Sequence, residues 1–142
     1  MEFSVADIHE AIAASRPDEP CIVFRGRHFT WAETTDRTRR LANHLIANGL
    51  GVRRERSELA GHESGQSHLA VYLHNGNEYL EAMLGSFKAR VAPFNVNYRY
   101  VAEELRYLLT DSAAEAIVVH SQFAPTLAEV LPDLPKLRVI LQ

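Results

Sequence analysis

The sequence has little cysteine, no long apolar run and no extended basic patch. Its single cysteine, Cys21, cannot form an internal disulfide, and its place in the apolar run "CIVF" predicts a small buried side chain. The net charge is −3, and the one basic cluster is Arg53, Arg54 and Arg56, which argues against a nucleic-acid partner. No run approaches the ~18 apolar residues of a membrane span, and the N-terminus lacks a signal-peptide pattern. We therefore predict a cytoplasmic protein without a membrane span.

What is present is the composition of a globular domain. The chain has 142 residues, of which 46% are hydrophobic and 23% charged. A chain of this length buries about 70% of its unfolded surface when it folds as one compact unit. The sequence therefore predicts a single domain over residues 1–142.

The first third of the chain predicts a helix, a hairpin and a longer helix. Ser4 is the expected N-cap of a helix over residues 4–14, whose apolar stripe is Val5, Ile8 and Ile12. The segment "CIVFRGRHFT" predicts two strands joined at Arg25-Gly26. Thr30 and Glu33 have the spacing of a capping box, and the helix that follows ends before Gly49. Its predicted buried stripe is Trp31, Thr34, Thr38, Leu41, Ala42, Leu45 and Ile46.

The second half alternates short apolar runs with helical patterns. Strands are predicted at 68–73, 91–96, 116–119 and 137–141. The helices between them are predicted at 77–89, at 102–110 and around Phe123, Leu127, Val130 and Leu131. The inward residues expected on the first of these helices are Leu80, Met83, Leu84 and Phe87. This β-α-β-α-β-α-β order predicts an α/β fold with a parallel sheet and helices on both faces, preceded by the helix and small hairpin.

Two segments depart from this pattern. Residues 50–67 are polar, contain three glycines and show no sustained period, so we predict a surface insertion. The chain ends on the apolar strand 137–141 with no later helix to cover it. We therefore expect an incomplete domain that either self-associates through exposed apolar sheet surface or is marginally stable.

Several motifs were tested against known chemistry. "GHESG" at residues 61–65 has its serine fourth rather than third and lacks the strand-to-helix turn of a nucleophile elbow. No strand is followed by a Walker loop or a dinucleotide fingerprint. His62, His68 and His74 are six residues apart and share no helical face, so we predict surface histidines and no metal site. The residues alone assign no catalytic group.

Polar side chains follow the first two strands of the predicted sheet. Asn75 and Asn77 follow the first strand, and Asn95 and Asn97 follow the second. Ligands of open α/β sheets bind at this carboxyl edge, but asparagines also shape turns and cap helices, which is the simpler explanation. Arg99 can pair with phosphate in a fork geometry, and from the residues alone a surface role is equally open.

The stretch "NGNEYLEAMLGSFKARVAPFNVNYRYVAEELRYLLTDSAAEAIVV" resembles the N-terminal region of the adenylate-forming superfamily. "FTWAETTDRTRRLANHLIANGLG" is similar to the hairpin and first long helix of the same family. The insertion resembles that of actinobacterial ligases for fatty-acyl and sterol side-chain acids. The chain thus looks like part of the N-terminal subdomain of an AMP-dependent acyl-CoA synthetase.

The resemblance implies a two-step ligase that uses ATP with magnesium, a carboxylic acid and coenzyme A. The family's phosphate loop and catalytic residues lie downstream of the matched stretch, in the C-terminal remainder of the ligase. We therefore expect these 142 residues to be inactive alone and to bind none of the cofactors tightly. Asn97-Tyr98-Arg99 matches a turn that lies near the nucleotide phosphate of coenzyme A in some relatives. This makes Arg99 the one candidate site residue.

Two other functions stay open at this point. The chain could be a self-contained, non-enzymatic α/β binding or regulatory module, since it carries no catalytic set. It could also belong to an adenylation domain that serves a carrier protein instead of coenzyme A.

Overall fold

The computed structural model describes residues 3–142 and shows a helix and hairpin followed by a parallel α/β unit. The elements are α1 (Val5–Ser15), β1 (Pro20–Phe24), β2 (Arg27–Thr30), α2 (Trp31–Ala47), β3 (His68–Tyr72), α3 (Asn77–Lys88), β4 (Ala92–Asn95), α4 (Ala102–Asp111), β5 (Ala116–Val119), α5 (Ala124–Val130) and β6 (Val139–Leu141). Short 3₁₀ turns flank α5 on both sides. The predicted fold class and element order are confirmed.

Local signals explain where the first helices begin. The Ser4 side chain accepts from the Asp7 backbone N–H while the Asp7 carboxylate accepts from the Ser4 N–H, and Thr30 and Glu33 repeat this pattern at α2. The β1–β2 turn places Arg25 and Gly26 at φ of 49° and 78°. Two successive positive φ values are those of a type I′ turn, which matches the twist of a hairpin.

The main sheet has the strand order β4-β3-β5-β6, and every neighbouring pair is parallel. Because side chains alternate along a strand, β3 contributes to two separate cores. Leu69 and Val71 pack with residues of α2 and α3, whereas Ala70 and Tyr72 pack with residues of α4 and α5. The sheet is therefore covered by helices on both faces, as the continuous apolar strands predicted.

Three predicted buried faces were wrong in part. In α1, His9 and Ala13 are buried while Val5 and Ile8 are exposed, and in α2 Ile46 is exposed. In α3 the buried residues are small or polar, and Leu80 keeps 49% of its surface exposed. The buried set is Asn77, Glu81, Ala82, Gly85 and Ser86.

Close packing between α2 and α3 explains this difference. A Cβ added at Gly85 would lie 2.6 Å from Leu41 Cδ2 and 3.0 Å from Leu41 Cβ. Such contact requires small side chains at this point of the helix face, and Leu80 of α3 is left exposed instead. The spacing of apolar residues in the sequence does not predict that two helices approach each other closely at a glycine.

The segment over residues 50–67 leaves the body of the fold and returns to it. Its base is closed by the hydrogen bond from the Ser67 N–H to the Gly51 carbonyl (2.8 Å) and by a bridge between Val52 and Gln66. Leu50 and Ser67 are buried at the two ends, whereas residues 53–58 between them are exposed.

The helices of residues 3–142 are all too short or too polar to serve as a membrane span.

Candidate functional site

The carboxyl edge of the sheet collects the polar residues that the sequence singled out. The Asn97 side chain accepts a hydrogen bond from the Arg99 backbone N–H at 3.0 Å, which closes the turn after β4. Arg99 itself is exposed, and its guanidinium lies 5.4 Å from the centre of the Tyr98 ring. Within residues 3–142, no carboxylate lies within ion-pair distance of Arg99. Its charge is therefore available to an anion.

The four asparagines do not share one role. Asn97 forms the turn just described, and Asn75 and Asn95 are exposed. Asn77 is buried, and its amide donates to Glu81 Oε1 at 3.0 Å. Glu81 also accepts from Arg37 Nη2 at 2.7 Å, so this carboxylate is held between α2 and α3 by two donors. Asn77 thus serves a buried polar network rather than a turn.

A cluster of aromatic and histidine rings lies beside Arg99. The His74 ring centre lies 5.1 Å from that of Tyr98, 5.3 Å from that of His120 and 4.7 Å from that of Phe123. His74 Nε2 is 3.1 Å from Gln122 Oε1, and His120 Nδ1 accepts from the Gln122 backbone N–H. This cluster joins the ends of β3, β4 and β5 into one continuous surface.

A cleft of about 500 Å³ opens at the same edge, between α2, α3 and the ends of β5 and β6. Its rim is charged, with Arg37, Arg40, Glu78 and Glu81, and its floor is apolar. The residues of the floor are Leu41, Leu73, Ala82, Val118, Val119 and Leu141. Such a combination suits a ligand with an apolar body and a polar end.

The described residues contain no cluster of metal-ligating side chains. Nowhere in residues 3–142 do three or more histidine, cysteine, aspartate or glutamate side chains come together as metal ligands. Cys21 is half-buried, and burial raises the pKa of its thiol. A thiol with a raised pKa is a weak nucleophile at neutral pH, in line with a packing role.

Sequence reasoning singled out Asn97 and the candidate residue Arg99 at the turn after β4, but it missed the residues around them. His74 and His120 each follow an apolar strand, and this shared position is the one signal that could have paired them. The Arg37–Glu81 contact joins residues 44 apart and leaves no local pattern. Of the three histidines spaced six residues apart in the sequence, His68 is the first residue of β3 and His74 follows the end of that strand.

The comparisons with known proteins agree with this architecture. A family model described as "AMP-binding enzyme" matches residues 9–142. The chain is 52% identical over 140 residues to the medium-chain acyl-CoA ligase Mig of Mycobacterium avium, covering 99% of this chain and 26% of that protein. It is 36% identical over 141 residues to a medium/long-chain-fatty-acid–CoA/3-oxocholest-4-en-26-oate–CoA ligase of Mycobacterium tuberculosis, covering 99% of this chain and 23% of that protein.

Solved structures show the same fold. The anthranilate CoA ligase AuaEII, in complex with anthranoyl-AMP, superposes with a TM-score of 0.83 at 18% identity, over 99% of this chain and 25% of that one. At this identity the likeness shows the fold alone. The chain spans about a quarter of the length of the curated relatives named above.

Proposed function

The chain belongs to the AMP-binding enzyme family, and on this premise we propose that it is the N-terminal part of an ATP-dependent acyl-CoA ligase. In the first step a carboxylate attacks the α-phosphate of ATP, which gives an acyl adenylate and releases pyrophosphate. In the second step the thiolate of coenzyme A attacks the acyl carbon, which gives a thioester and releases AMP. The observation that carries the proposal is the 52% identity to a medium-chain acyl-CoA ligase along nearly the whole chain.

The substrate class we propose is a medium- or long-chain fatty acid or a sterol side-chain acid. The names of the two mycobacterial relatives support this choice. The apolar floor of the cleft at the carboxyl edge supports a substrate with an apolar body.

Among the cofactors, coenzyme A is the one for which this chain offers a fitting residue. Arg99 is exposed, free of a carboxylate partner within the described residues, and placed at the carboxyl edge where ligands of open sheets bind. We propose that its guanidinium binds the nucleotide phosphate of coenzyme A. We assign no residue of this chain to ATP or magnesium, because the resemblance implies that the phosphate loop and its partners lie downstream of it.

Replacing Arg99 with alanine in the full-length ligase is expected to raise the KM for coenzyme A about tenfold to hundredfold. A charge-assisted hydrogen bond to phosphate contributes about 1.5 to 3 kcal/mol, and about 1.4 kcal/mol corresponds to a factor of ten. The rate of acid-dependent ATP–pyrophosphate exchange should stay the same, because that step precedes coenzyme A binding. Steady-state kinetics of both half-reactions measure these quantities.

Arg16→Ala is the matched control for this substitution. Arg16 is also an exposed arginine, and its partner is Glu19 three residues away on the surface. Its loss should change neither half-reaction. An unchanged KM for coenzyme A in Arg99→Ala would contradict the proposal that Arg99 binds the phosphate of coenzyme A.

The two other functions are distinguished by the DNA that follows the coding region of this chain. A Ser/Thr/Gly-rich loop in frame, or behind a frameshift, supports the ligase, whereas a clean stop without such a remnant supports a binding or regulatory module. An adenylation domain that serves a carrier protein would form acyl adenylate without transferring the acyl group to coenzyme A. A cytoplasmic location remains part of the proposal, since ATP and coenzyme A are intracellular substrates.

The proposed activity is tested by ATP–pyrophosphate exchange over a panel of carboxylic acids. We expect acid-dependent exchange by the full-length protein and none by the 142-residue chain alone. Exchange by the short chain would contradict the assignment of the first half-reaction to residues outside it.

A further inference from the structure

Ser64 and His68 form a pair at the amino edge of the sheet, opposite the candidate site. Ser64 Oγ lies 2.6 Å from His68 Nε2, within the distance of an O–H···N hydrogen bond. Ser64 is exposed, and His68 is half-buried at the first position of β3. The serine hydroxyl is therefore accessible to solvent while its histidine partner is held by the strand.

The second ring nitrogen fixes the tautomer of this histidine. His68 Nδ1 lies 2.5 Å from the backbone carbonyl of Ser112. A carbonyl oxygen only accepts, so Nδ1 carries the proton. In the neutral ring Nε2 then has a free lone pair, and the Ser64 hydroxyl donates to it. This is the arrangement in which a histidine acts as a base toward a serine.

The Ser112 carbonyl also orients the ring. Ser112 is the C-cap of α4, which spans Ala102–Asp111, so its carbonyl is held at the end of a helix. The hydrogen bond from His68 Nδ1 to this carbonyl turns Nε2 toward Ser64, which is the positioning role that a carboxylate has in serine hydrolases.

The loop holds Ser64 in a fixed position. The carbonyl of Gly65 accepts from the backbone N–H groups of Arg53 (2.7 Å) and Arg54 (3.1 Å). A Cβ at position 65 would lie 2.2 Å from the Arg54 carbonyl oxygen, so only glycine fits beside Ser64. The Gln66 side chain adds a hydrogen bond to the Arg90 carbonyl at 2.7 Å. These contacts hold Ser64 Oγ in one position relative to His68, whereas a serine on a loop without them would sample many positions.

A small cleft of about 250 Å³ adjoins Ser64. Its charged lining comprises three guanidinium groups and two carboxylates, those of Arg54, Arg56, Arg90, Glu55 and Glu63. Arg54 pairs with Glu63 and Arg90 pairs with Glu55, so Arg56 is the one guanidinium of this cleft without a carboxylate partner among the described residues. This single charge favours a substrate with an anionic leaving group, and the volume favours a short acyl chain.

We propose that Ser64 is a nucleophilic serine that accepts a short acyl group from an activated ester, with His68 as its general base. Ser64 Oγ bonds to the carbonyl carbon while its proton passes to His68 Nε2. The tetrahedral adduct then expels the leaving group as an anion, and His68 returns its proton to solvent. Water, deprotonated by His68, cleaves the resulting ester, which releases the carboxylic acid and restores the serine.

The first test treats the 142-residue chain with p-nitrophenyl acetate, quenches it in acid and maps acetyl groups by peptide mass spectrometry. The proposal predicts acetyl on Ser64 and a burst of p-nitrophenolate of one equivalent or less per chain. Acetyl found on lysines or other serines, with none on Ser64, would overturn it. This mapping needs no variant, so a misfolded mutant cannot decide the result.

The second test compares three variants whose folding is checked by circular dichroism. Ser64→Ala should abolish the burst, and His68→Gln should slow acetylation of Ser64 about a hundredfold, within the usual range for general-base catalysis. Ser57→Ala is the matched control, because Ser57 is an exposed serine of the same loop outside the cleft, and it should leave the burst unchanged. Equal rates for His68→Gln and the unmodified chain would exclude His68 as the base. The proposal is independent of the ligase activity, since these residues lie at the other edge of the sheet.

Discussion

Replacing Glu10 with glutamine is expected to lower the free energy of unfolding by about 2 kcal/mol. Glu10 Oε1 lies 2.5 Å from Lys88 Nζ, and the lysine side chain keeps only 7% of its surface exposed. The same ammonium donates to Thr38 Oγ1 at 2.8 Å, so it ties α1, α2 and α3 together. Breaking a fully buried ion pair costs about 3 to 5 kcal/mol, and the exposed part of Glu10 reduces this figure. Urea denaturation at neutral pH measures the loss.

We expect the Glu10 carboxylate to make the free energy of unfolding fall in acid. Burial raises the pKa of Glu10, but hydrogen bonds from Arg39 and Lys88 outweigh it, and the net pKa lies below the ordinary value of 4.5. A carboxyl with a lowered pKa contributes stability that is fully present above its unfolded value. That contribution is lost as the pH falls from about 4.5 through the lowered pKa. Glu10→Gln should therefore flatten the stability profile below pH 4.5.

Two variants control for this experiment. Glu19→Gln removes a carboxylate whose partner, Arg16, is largely exposed, and exposed pairs contribute little, so stability should not change. Adding Lys88→Met to Glu10→Gln removes the unpaired cation and should restore much of the lost stability. Equal losses for Glu10→Gln and Glu19→Gln would show that the buried lysine does not depend on Glu10.

Gly85→Ala is expected to destabilise the fold by about 1 to 3 kcal/mol, the usual cost of overpacking. Within a helix the same change normally stabilises by up to about 1 kcal/mol, because alanine has the higher helix propensity. Here the new methyl group would lie 2.6 Å from Leu41 Cδ2, 2.9 Å from its Cγ and 3.0 Å from its Cβ. The clash includes the rigid part of the leucine, so a rotamer change cannot relieve it. Thermal and urea unfolding measure the effect.

A double-mutant cycle with Leu41→Ala tests this cause. Leu41→Ala removes the atoms that the new methyl group would meet, so the double variant should lose less stability than the sum of the two single variants. Gly61→Ala is the control glycine, since a Cβ there meets no atom within 4 Å, and it should stay within about 0.5 kcal/mol of the parent. An additive cycle would mean that α2 and α3 are not in close contact at this point.

The part of the fold that follows from local rules was predicted from the sequence. The N-cap at Ser4 and the capping box at Thr30 depend only on residues close in sequence, and the apolar runs 116–119 and 137–141 can be recognised as strands without knowledge of their neighbours in the sheet. The inward face of α3 was mispredicted because its contact with α2 depends on Gly85, which apolar periodicity counts as a gap. Which residues of a helix are buried depends on the neighbouring element, and the sequence of the helix alone does not identify that neighbour.

The candidate site residues also differ in how much of their arrangement is local in sequence. Arg99 was placed because the turn after β4 is local and Asn97 closes it. The Ser64–His68 pair is also local, at four residues, but its orientation depends on the carbonyl of Ser112, 44 residues beyond His68. The sequence analysis set aside a nucleophile elbow at residues 61–65, and that argument did not consider a serine activated by a histidine four residues later.

The central claim is that this chain is part of an acyl-CoA ligase. Its most direct test incubates the full-length protein with ATP, magnesium, coenzyme A and a panel of medium- and long-chain acids, and detects acyl-CoA by mass spectrometry. We expect an acyl-CoA thioester and AMP in equal amounts, formed only with ATP and acid present. Acyl adenylate without thioester, or no acid-dependent product from a folded full-length protein, would contradict the claim.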